Sequence, residues 1–180
     1  MSSESKSQYK VPLSSPDITD AERQALLDVL DTRYFSMGPQ VEAFEQAFVD
    51  RLGVKHAIAV SSGTTGLHLC LHAAGIQDGD LVLTTPFSFM ASSTVLLFER
   101  AIPVYVDVDP LTGNIDPVQL AQAADDLMAG GDAAAKWLPR QGVPAGAQLK
   151  AILPVDVFGQ PADMDPIRAV AAKHGLTIIE

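Results

Sequence analysis

The sequence predicts an α/β fold with a mostly parallel sheet and flanking helices, and two observations support this. Short apolar segments of strand length alternate with longer segments in which apolar residues recur every three or four positions. Residues that begin or end helices separate these segments, with Thr, Asp and Pro before the helices and Gly after them. Strands that alternate with helices in this way form parallel sheets covered by helices.

The chain is predicted to begin with a polar arm at residues 1–13, followed by two helices. Thr19 and Glu22 have the spacing of a capping box, so the first helix should begin near residue 19. Pro39 suits the first turn of the second helix, and Gly53 suits its end.

The remainder of the chain, up to residue 180, alternates between predicted strands and helices. The predicted strands lie at 57–60, 81–84, 103–108, 150–155 and 176–179. The predicted helices run from the turn at 61–65 to Gly75, over 88–98, from the cap at Asp116, and over 165–175. Residues 130–148 are rich in Gly, Ala and Pro and are interpreted as an inserted surface loop.

Composition favours a globular protein and disfavours several partners. Hydrophobic residues make up 47% of the 180 residues and charged residues 19%, which is typical of a folded domain. The formal net charge of −10 argues against a nucleic-acid partner. No apolar stretch predicts a membrane span or a signal peptide, so a cytoplasmic location is expected. The single cysteine and the scattered histidines do not predict a metal site.

The turn at 61–65, with the sequence SSGTT, lies between an apolar segment and a predicted helix. Backbone N–H groups at a helix N-terminus lack partners within the helix and attract anions, so this turn could bind a phosphate. Ordinary helix capping by Ser or Thr is the alternative, and it is the commoner use of such residues.

Five segments, in order along the chain, carry a resemblance to a known family. They are FSMGPQVEAFE at 35–45, LGVKHAIAVSSGTTGLHL at 52–69, TTPFSFMASS at 84–93, PVYVDVDPLTGNIDP at 103–117 and LPVDVFGQPADMDPI at 153–167. Together they resemble the DegT/DnrJ/EryC1/StrS family of sugar aminotransferases. That resemblance implies the aspartate aminotransferase large-domain fold and the cofactor pyridoxal 5′-phosphate.

The resemblance implies a set of cofactor-binding residues. Gly63, Thr64 and Thr65 would hold the cofactor phosphate, and Phe89 would lie on the pyridine ring. A core position on an amphipathic helix is the alternative for Phe89. Asp156 stands where many relatives carry histidine. It would either hydrogen-bond near the phenolic oxygen of the cofactor or make a turn contact with Gly159 or Gln160.

The resemblance also implies a substrate side and a reaction. Tyr34, Phe35, Ser36 and Gly38 match a loop that lines the sugar side of the pocket, although a simple lead-in to a helix would look similar. The implied reaction transfers an amino group from glutamate to a nucleotide-linked keto-deoxysugar. The implied assembly is a homodimer whose pockets use both subunits.

The chain is expected to be the N-terminal portion of such an enzyme and inactive alone. Residues 14–180 would form an incomplete cofactor-binding domain, because none of the lysines matches the family's Schiff-base motif and the small C-terminal domain is missing. No catalytic residue is therefore assigned. Two alternatives stay open: a noncatalytic remnant that acts as an interaction module with at most weak phosphate binding, and an unrelated doubly wound nucleotide-binding domain.

Overall fold

The computed structural model describes residues 14–180, so the predicted polar arm at 1–13 lies outside the described residues. The chain divides into two compact units, with the boundary between Ala59 and Val60. No helix in the described part is long and apolar enough to cross a membrane.

The first unit contains two helices, α1 (Asp20–Leu30) and α2 (Pro39–Leu52). The predicted capping box is confirmed at α1, where the Thr19 hydroxyl accepts the N–H of Ala21 and the Glu22 carboxylate accepts the N–H of Thr19 at 2.6 Å. The hydrogen bond from the Thr19 side chain is the main cause that lowers the pKa of Glu22. The predicted end of α2 is also confirmed, since Gly53 caps it in the left-handed conformation with φ 66°.

The predicted strand at 57–60 is wrong, because this segment has no regular structure. A strand needs a neighbour that pairs with its backbone. Here the N–H of Ala59 instead donates to the carboxylate of Glu45 at 2.8 Å, and the Ile58 side chain is 78% exposed. The apolar composition that predicted the strand is present, but the pairing partner is missing among the described residues.

The second unit carries the sheet and the remaining helices. Its strands are β1 (Leu81–Thr84), β2 (Ile102–Tyr105), β3 (Leu149–Leu153) and β4 (Thr177–Ile178). Its helices are α3 (Gly63–Ala73), α4 (Ala91–Phe98), α5 (Pro117–Ala129), α6 (Gly131–Ala135) and α7 (Met164–His174). The strand order is β2-β1-β3-β4 and every pairing is parallel, which confirms the predicted α/β class.

The sheet is covered on both faces. Leu83 of β1 is fully buried in a cluster that includes residues of α5 and α7, whereas its neighbour Val82 is buried in a second cluster with residues of α3 and α4. Successive side chains of a strand point to opposite faces, so one strand supplies both cores. Because both faces of the strands are buried, their sequences are largely apolar and do not alternate with polar residues.

Part of the segment at 130–148 is helical and packed. It contains α6, and its apolar residues Trp137, Leu138 and Val143 contact the core beneath α5 and α7. The indole N–H of Trp137 donates to Asp126 at 2.8 Å, and Lys136 contacts the same carboxylate oxygen at 2.7 Å. The hydrogen bond from Lys136, followed by that from Trp137, lowers the pKa of Asp126.

Candidate functional site

A cavity of about 450 Å³ lies where two adjacent strands end. Strands β1 and β3 pair in parallel, with Thr84 opposite Leu153, so the segments that leave them emerge at the same edge of the sheet. The cavity is lined by Phe87, Ser88, Phe89, Val155, Asp156, Val157 and Phe158. Its size suits a small ligand. Two residues singled out in the sequence, Phe89 and Asp156, therefore line one cavity.

Phe89 is not a core residue, since its side chain is 77% exposed. It precedes α4, which begins at Ala91 and therefore starts later than the predicted residue 88. The buried Thr85 turns the chain after β1, because its hydroxyl accepts the N–H of Phe87 at 3.3 Å. This turn directs the aromatic segment toward the cavity.

Asp156 is exposed and makes a turn contact. Its Oδ1 accepts the N–H of Ala162 at 2.8 Å, and its backbone carbonyl accepts the N–H of Gly159 at 3.1 Å. Its Oδ2 has no hydrogen-bond partner among residues 14–180. One carboxylate oxygen thus holds the loop while the other is available at the cavity wall.

The N-terminus of α3 combines a cap with open donors. The Ser62 hydroxyl accepts the N–H of Thr65 at 3.1 Å, and the Thr65 hydroxyl lies 3.0 Å from the same oxygen. Within the part of the chain that the structure describes, the N–H groups of Gly63 and Thr64 and the Thr64 hydroxyl have no hydrogen-bond partner. The capping alternative therefore holds for Ser62, while donors next to it remain available.

These donors fit a phosphate group. Gly63 and Thr64 occupy the first two positions of an 11-residue helix, where the macrodipole is positive and N–H groups point outward. A Cβ built at Gly63 would meet no atom within 4 Å, so the space beside this glycine is open among the described residues. Neither Gly63, Thr64 nor Thr65 is among the residues that line the cavity. Helix α3 packs against α4, which follows Phe89.

The four residues predicted on the sugar side belong to the first unit. Tyr34, Phe35 and Ser36 are exposed in the connection between α1 and α2, and Gly38 is the N-cap of α2. A Cβ at Gly38 would lie 2.8 Å from the Cβ of Tyr34. Close packing within the connection therefore explains this glycine without a substrate.

Sequence reasoning missed three residues that shape the cavity. Phe87 and Phe158 line it, with ring centroids 6.0 Å apart and planes at 79°. Asn114 contacts the segment that carries Phe158. All three lie in segments that carried the family resemblance. Phe158 could have been predicted as a cavity residue, because it is an aromatic residue between a predicted strand and Gly159.

A family model described as the DegT/DnrJ/EryC1/StrS aminotransferase family matches residues 16–180. The chain belongs to this family. Among curated relatives, the spore coat polysaccharide biosynthesis protein SpsC of Bacillus subtilis is 38% identical over 97% of this chain and 40% of its own length. GDP-perosamine synthase of Caulobacter vibrioides is 39% identical over 95% of this chain and 41% of its own length.

Solved structures of DegT/DnrJ/EryC1/StrS aminotransferases and related enzymes share the fold. The aminotransferase of Psychrobacter cryohalolentis matches with a TM-score of 0.75 and 34% identity, over 94% of this chain and 38% of its own. NtdA of Bacillus subtilis, solved with bound cofactor PMP, matches with a TM-score of 0.73 and 32% identity, over 91% of this chain and 34% of its own. The chain spans about 40% of the length of the curated relatives that it matches.

Proposed function

We propose that this chain supplies the phosphate cradle and part of the active-site wall of an aminotransferase that uses pyridoxal 5′-phosphate. The proposed reaction transfers the amino group of glutamate to the keto group of a nucleotide-linked deoxysugar. The observation that carries the proposal is the family match over residues 16–180, because this range contains both the cavity and the N-terminus of α3.

The open donors of α3 would hold the cofactor phosphate. The N–H groups of Gly63 and Thr64 and the hydroxyls of Thr64 and Thr65 would donate to its oxygens. The Thr65 hydroxyl also lies close to the hydroxyls of Ser61 and Ser62, which would stiffen the turn. A hydrogen bond to a charged group contributes about 1.5 to 3 kcal/mol, so two or three suffice to anchor the cofactor.

The cavity wall would hold the ring and exclude water. When bound, pyridoxal phosphate supplies an electron sink for the breaking of the substrate Cα–H bond. Phe89 would cover one face of the ring and keep water from it. The Oδ2 of Asp156, which has no partner within residues 14–180, would hydrogen-bond near the phenolic oxygen of the cofactor, since its Oδ1 is already held by the N–H of Ala162.

The amine that forms the Schiff base would come from outside the second unit. Lys173 contacts Asp125 at 2.6 Å, and Lys136 contacts Asp126 at 2.7 Å. Lys150 lies near the start of β3, at the edge of the sheet opposite the cavity. None of these three lysines of the second unit is positioned for the reaction, and the resemblance matches no lysine of residues 1–180 to the Schiff-base motif, so residues 1–180 alone should bind the cofactor without turnover.

By the same resemblance we propose that the working protein is a cytoplasmic homodimer. The substrate-side roles of Tyr34, Phe35, Ser36 and Gly38 belong to this proposal as well. A noncatalytic interaction module is the alternative that the experiment below separates.

The test compares residues 1–180 with the uninterrupted reading frame from the same gene. Each is incubated with pyridoxal 5′-phosphate, glutamate and a nucleotide-linked keto-deoxysugar, and 2-oxoglutarate release is measured. Only the protein encoded by the full reading frame is expected to release 2-oxoglutarate, and only when the keto sugar is present. Turnover by residues 1–180 would refute the proposed external amine, and no turnover by either protein with a panel of keto sugars would favour the interaction module.

A further inference from the structure

Asn114 joins two distant parts of the second unit. Its side chain is 2% exposed, and both ends of its amide are used. Its Oδ1 accepts the N–H of Val157 at 3.0 Å, and its Nδ2 donates to the carbonyl of Gln160 at 2.8 Å. The side-chain amide of Asn114 therefore bonds the backbone of the loop that follows β3, as a neighbouring strand would.

Asn114 is itself held in place. Its backbone carbonyl accepts the N–H of Asp109 at 2.9 Å, and its N–H donates to the Thr112 hydroxyl at 3.3 Å. An antiparallel bridge between Val108 and Ile115 closes the same turn. A rigid turn thus presents a fixed donor and a fixed acceptor.

The two hydrogen bonds flank a strained residue. Phe158 has φ 54°, in the left-handed region that a residue with a side chain adopts only when its surroundings impose it. Its ring is 96% exposed, so burial does not offset this strain. The contacts of Asn114 with Val157 and Gln160 fall on either side of it.

We propose that Asn114 is a positioning residue, which holds the 156–160 loop so that Asp156 and Phe158 form one wall of the cavity. No ligand contact is assigned to Asn114 itself, since it acts through the loop. The inference rests on the proposed function only for the identity of the ligand at that wall. The link between Asn114 and the loop stands on the hydrogen bonds alone.

The variant N114D gives a test with a chemical signature. A carboxylate accepts the N–H of Val157 but repels the carbonyl of Gln160, whereas a protonated carboxyl accepts from one and donates to the other, as the amide does. The side chains Asp109, Asp116 and Asp156 lie on the segments that join at this point, and they are all acidic. Burial of this side chain and the adjacent carbonyl of Gln160 favour the protonated form of the introduced carboxyl, so rescue is expected at mildly acidic pH.

Hydrogen exchange of the peptide 155–162 is measured between pH 5 and pH 8 in the full chain, after correction for intrinsic exchange rates. At pH 8, N114D should exchange about tenfold faster than the unsubstituted chain, and the ratio should fall toward one at pH 5. The control T84V removes a buried hydrogen bond from Thr84 to the Leu153 carbonyl within the sheet, and it should leave the ratio near one at both pH values. A ratio for N114D that is near one at pH 8, or that does not change with pH, would overturn the proposal.

A second comparison uses F158G, since glycine adopts the left-handed conformation without strain. N114D should accelerate exchange less in the F158G background than in the unsubstituted chain. Equal acceleration in both backgrounds would overturn the claim that Asn114 supports the strained Phe158.

The affinity for pyridoxamine 5′-phosphate, measured on the same samples, separates this inference from the proposed function. Weaker binding by N114D at pH 8 but not at pH 5 supports both. Loop exchange that follows the expected pattern without any binding by the unsubstituted chain would count against the proposed function and leave the role of Asn114 in the loop intact. Equal affinities at pH 8 despite faster loop exchange would overturn its positioning role at the cavity.

Discussion

Among single residues, Thr64 distinguishes a phosphate cradle from a simple helix cap. The cap is made by Ser62, and the Thr64 hydroxyl has no hydrogen-bond partner among residues 14–180. T64V should therefore weaken pyridoxamine 5′-phosphate binding about tenfold, the loss expected for one hydrogen bond to a charged group. Titration calorimetry checks this.

T177V is the matched control for T64V. It makes the same chemical change at an exposed position of β4, on the edge strand of the sheet, and it should bind like the unsubstituted chain. Equal affinities for T64V and T177V would show that the Thr64 hydroxyl does not hold the phosphate.

Local sequence patterns predicted the structural roles of some residues and could not predict those of others. The capping box of Thr19 and Glu22 depends on residues three positions apart, so the sequence alone was sufficient. The role of Asn114 depends on hydrogen bonds to residues 43 and 46 positions away, and a buried asparagine has no local signature. The exposure of Phe89 likewise depends on where the chain turns after β1.

Among the helices and strands, the start of α5 shows how one side chain fixes a boundary. Asp116 Oδ1 accepts the N–H groups of Val118 at 2.8 Å and Gln119 at 3.2 Å. The hydrogen bond from the Gln119 side chain, together with those from the two backbone N–H groups, holds the pKa of Asp116 below its ordinary value. The ionised form thus stabilises the folded state.

D116A should lower the free energy of unfolding by about 1 kcal/mol at pH 7. Because the pKa of Asp116 is lower in the folded state, its contribution is fully present above the unfolded pKa, which is about 4 for an aspartate. The contribution is lost as the pH falls from there through the lower folded pKa. Urea unfolding at pH 7 and at pH 3 measures this. The control D165A removes an exposed carboxylate of α7 whose one polar side-chain partner within residues 14–180 is Arg168 at 3.4 Å. It should change stability by less than about 0.5 kcal/mol at either pH. An undiminished loss for D116A at pH 3 would contradict the capping role.

The predicted strand at 57–60 shows the limit of local patterns. Apolar composition identified β1 correctly, because β1 has neighbours on both sides in the sheet. The same composition at 57–60 failed, since the Ala59 N–H is taken by the Glu45 side chain and no described strand pairs with the segment. An apolar composition shows that a segment can form a buried strand. Whether it does so depends on a second segment that pairs with its backbone.

For the molecule as a whole, the class of fold followed from the alternation of strands and helices, and the cavity followed from the strand order. Phe89 and Asp156 are 67 residues apart in the numbering, yet both follow strands that are adjacent and parallel. The two residues therefore lie at the same edge because of the strand order of the sheet. The local sequence around either residue does not predict that they lie close together.

Binding of pyridoxamine 5′-phosphate to residues 1–180, compared with pyridoxamine, tests the proposed cradle most directly, because this amine form of the cofactor needs no Schiff-base lysine. Calorimetric titration of the folded chain should give an affinity at least about tenfold higher for the phosphorylated compound, and T64V should reduce the affinity for that compound about tenfold without changing the affinity for pyridoxamine. Equal affinities for the two compounds, or no binding of either by a chain with native circular dichroism, would contradict a phosphate cradle at the N-terminus of α3.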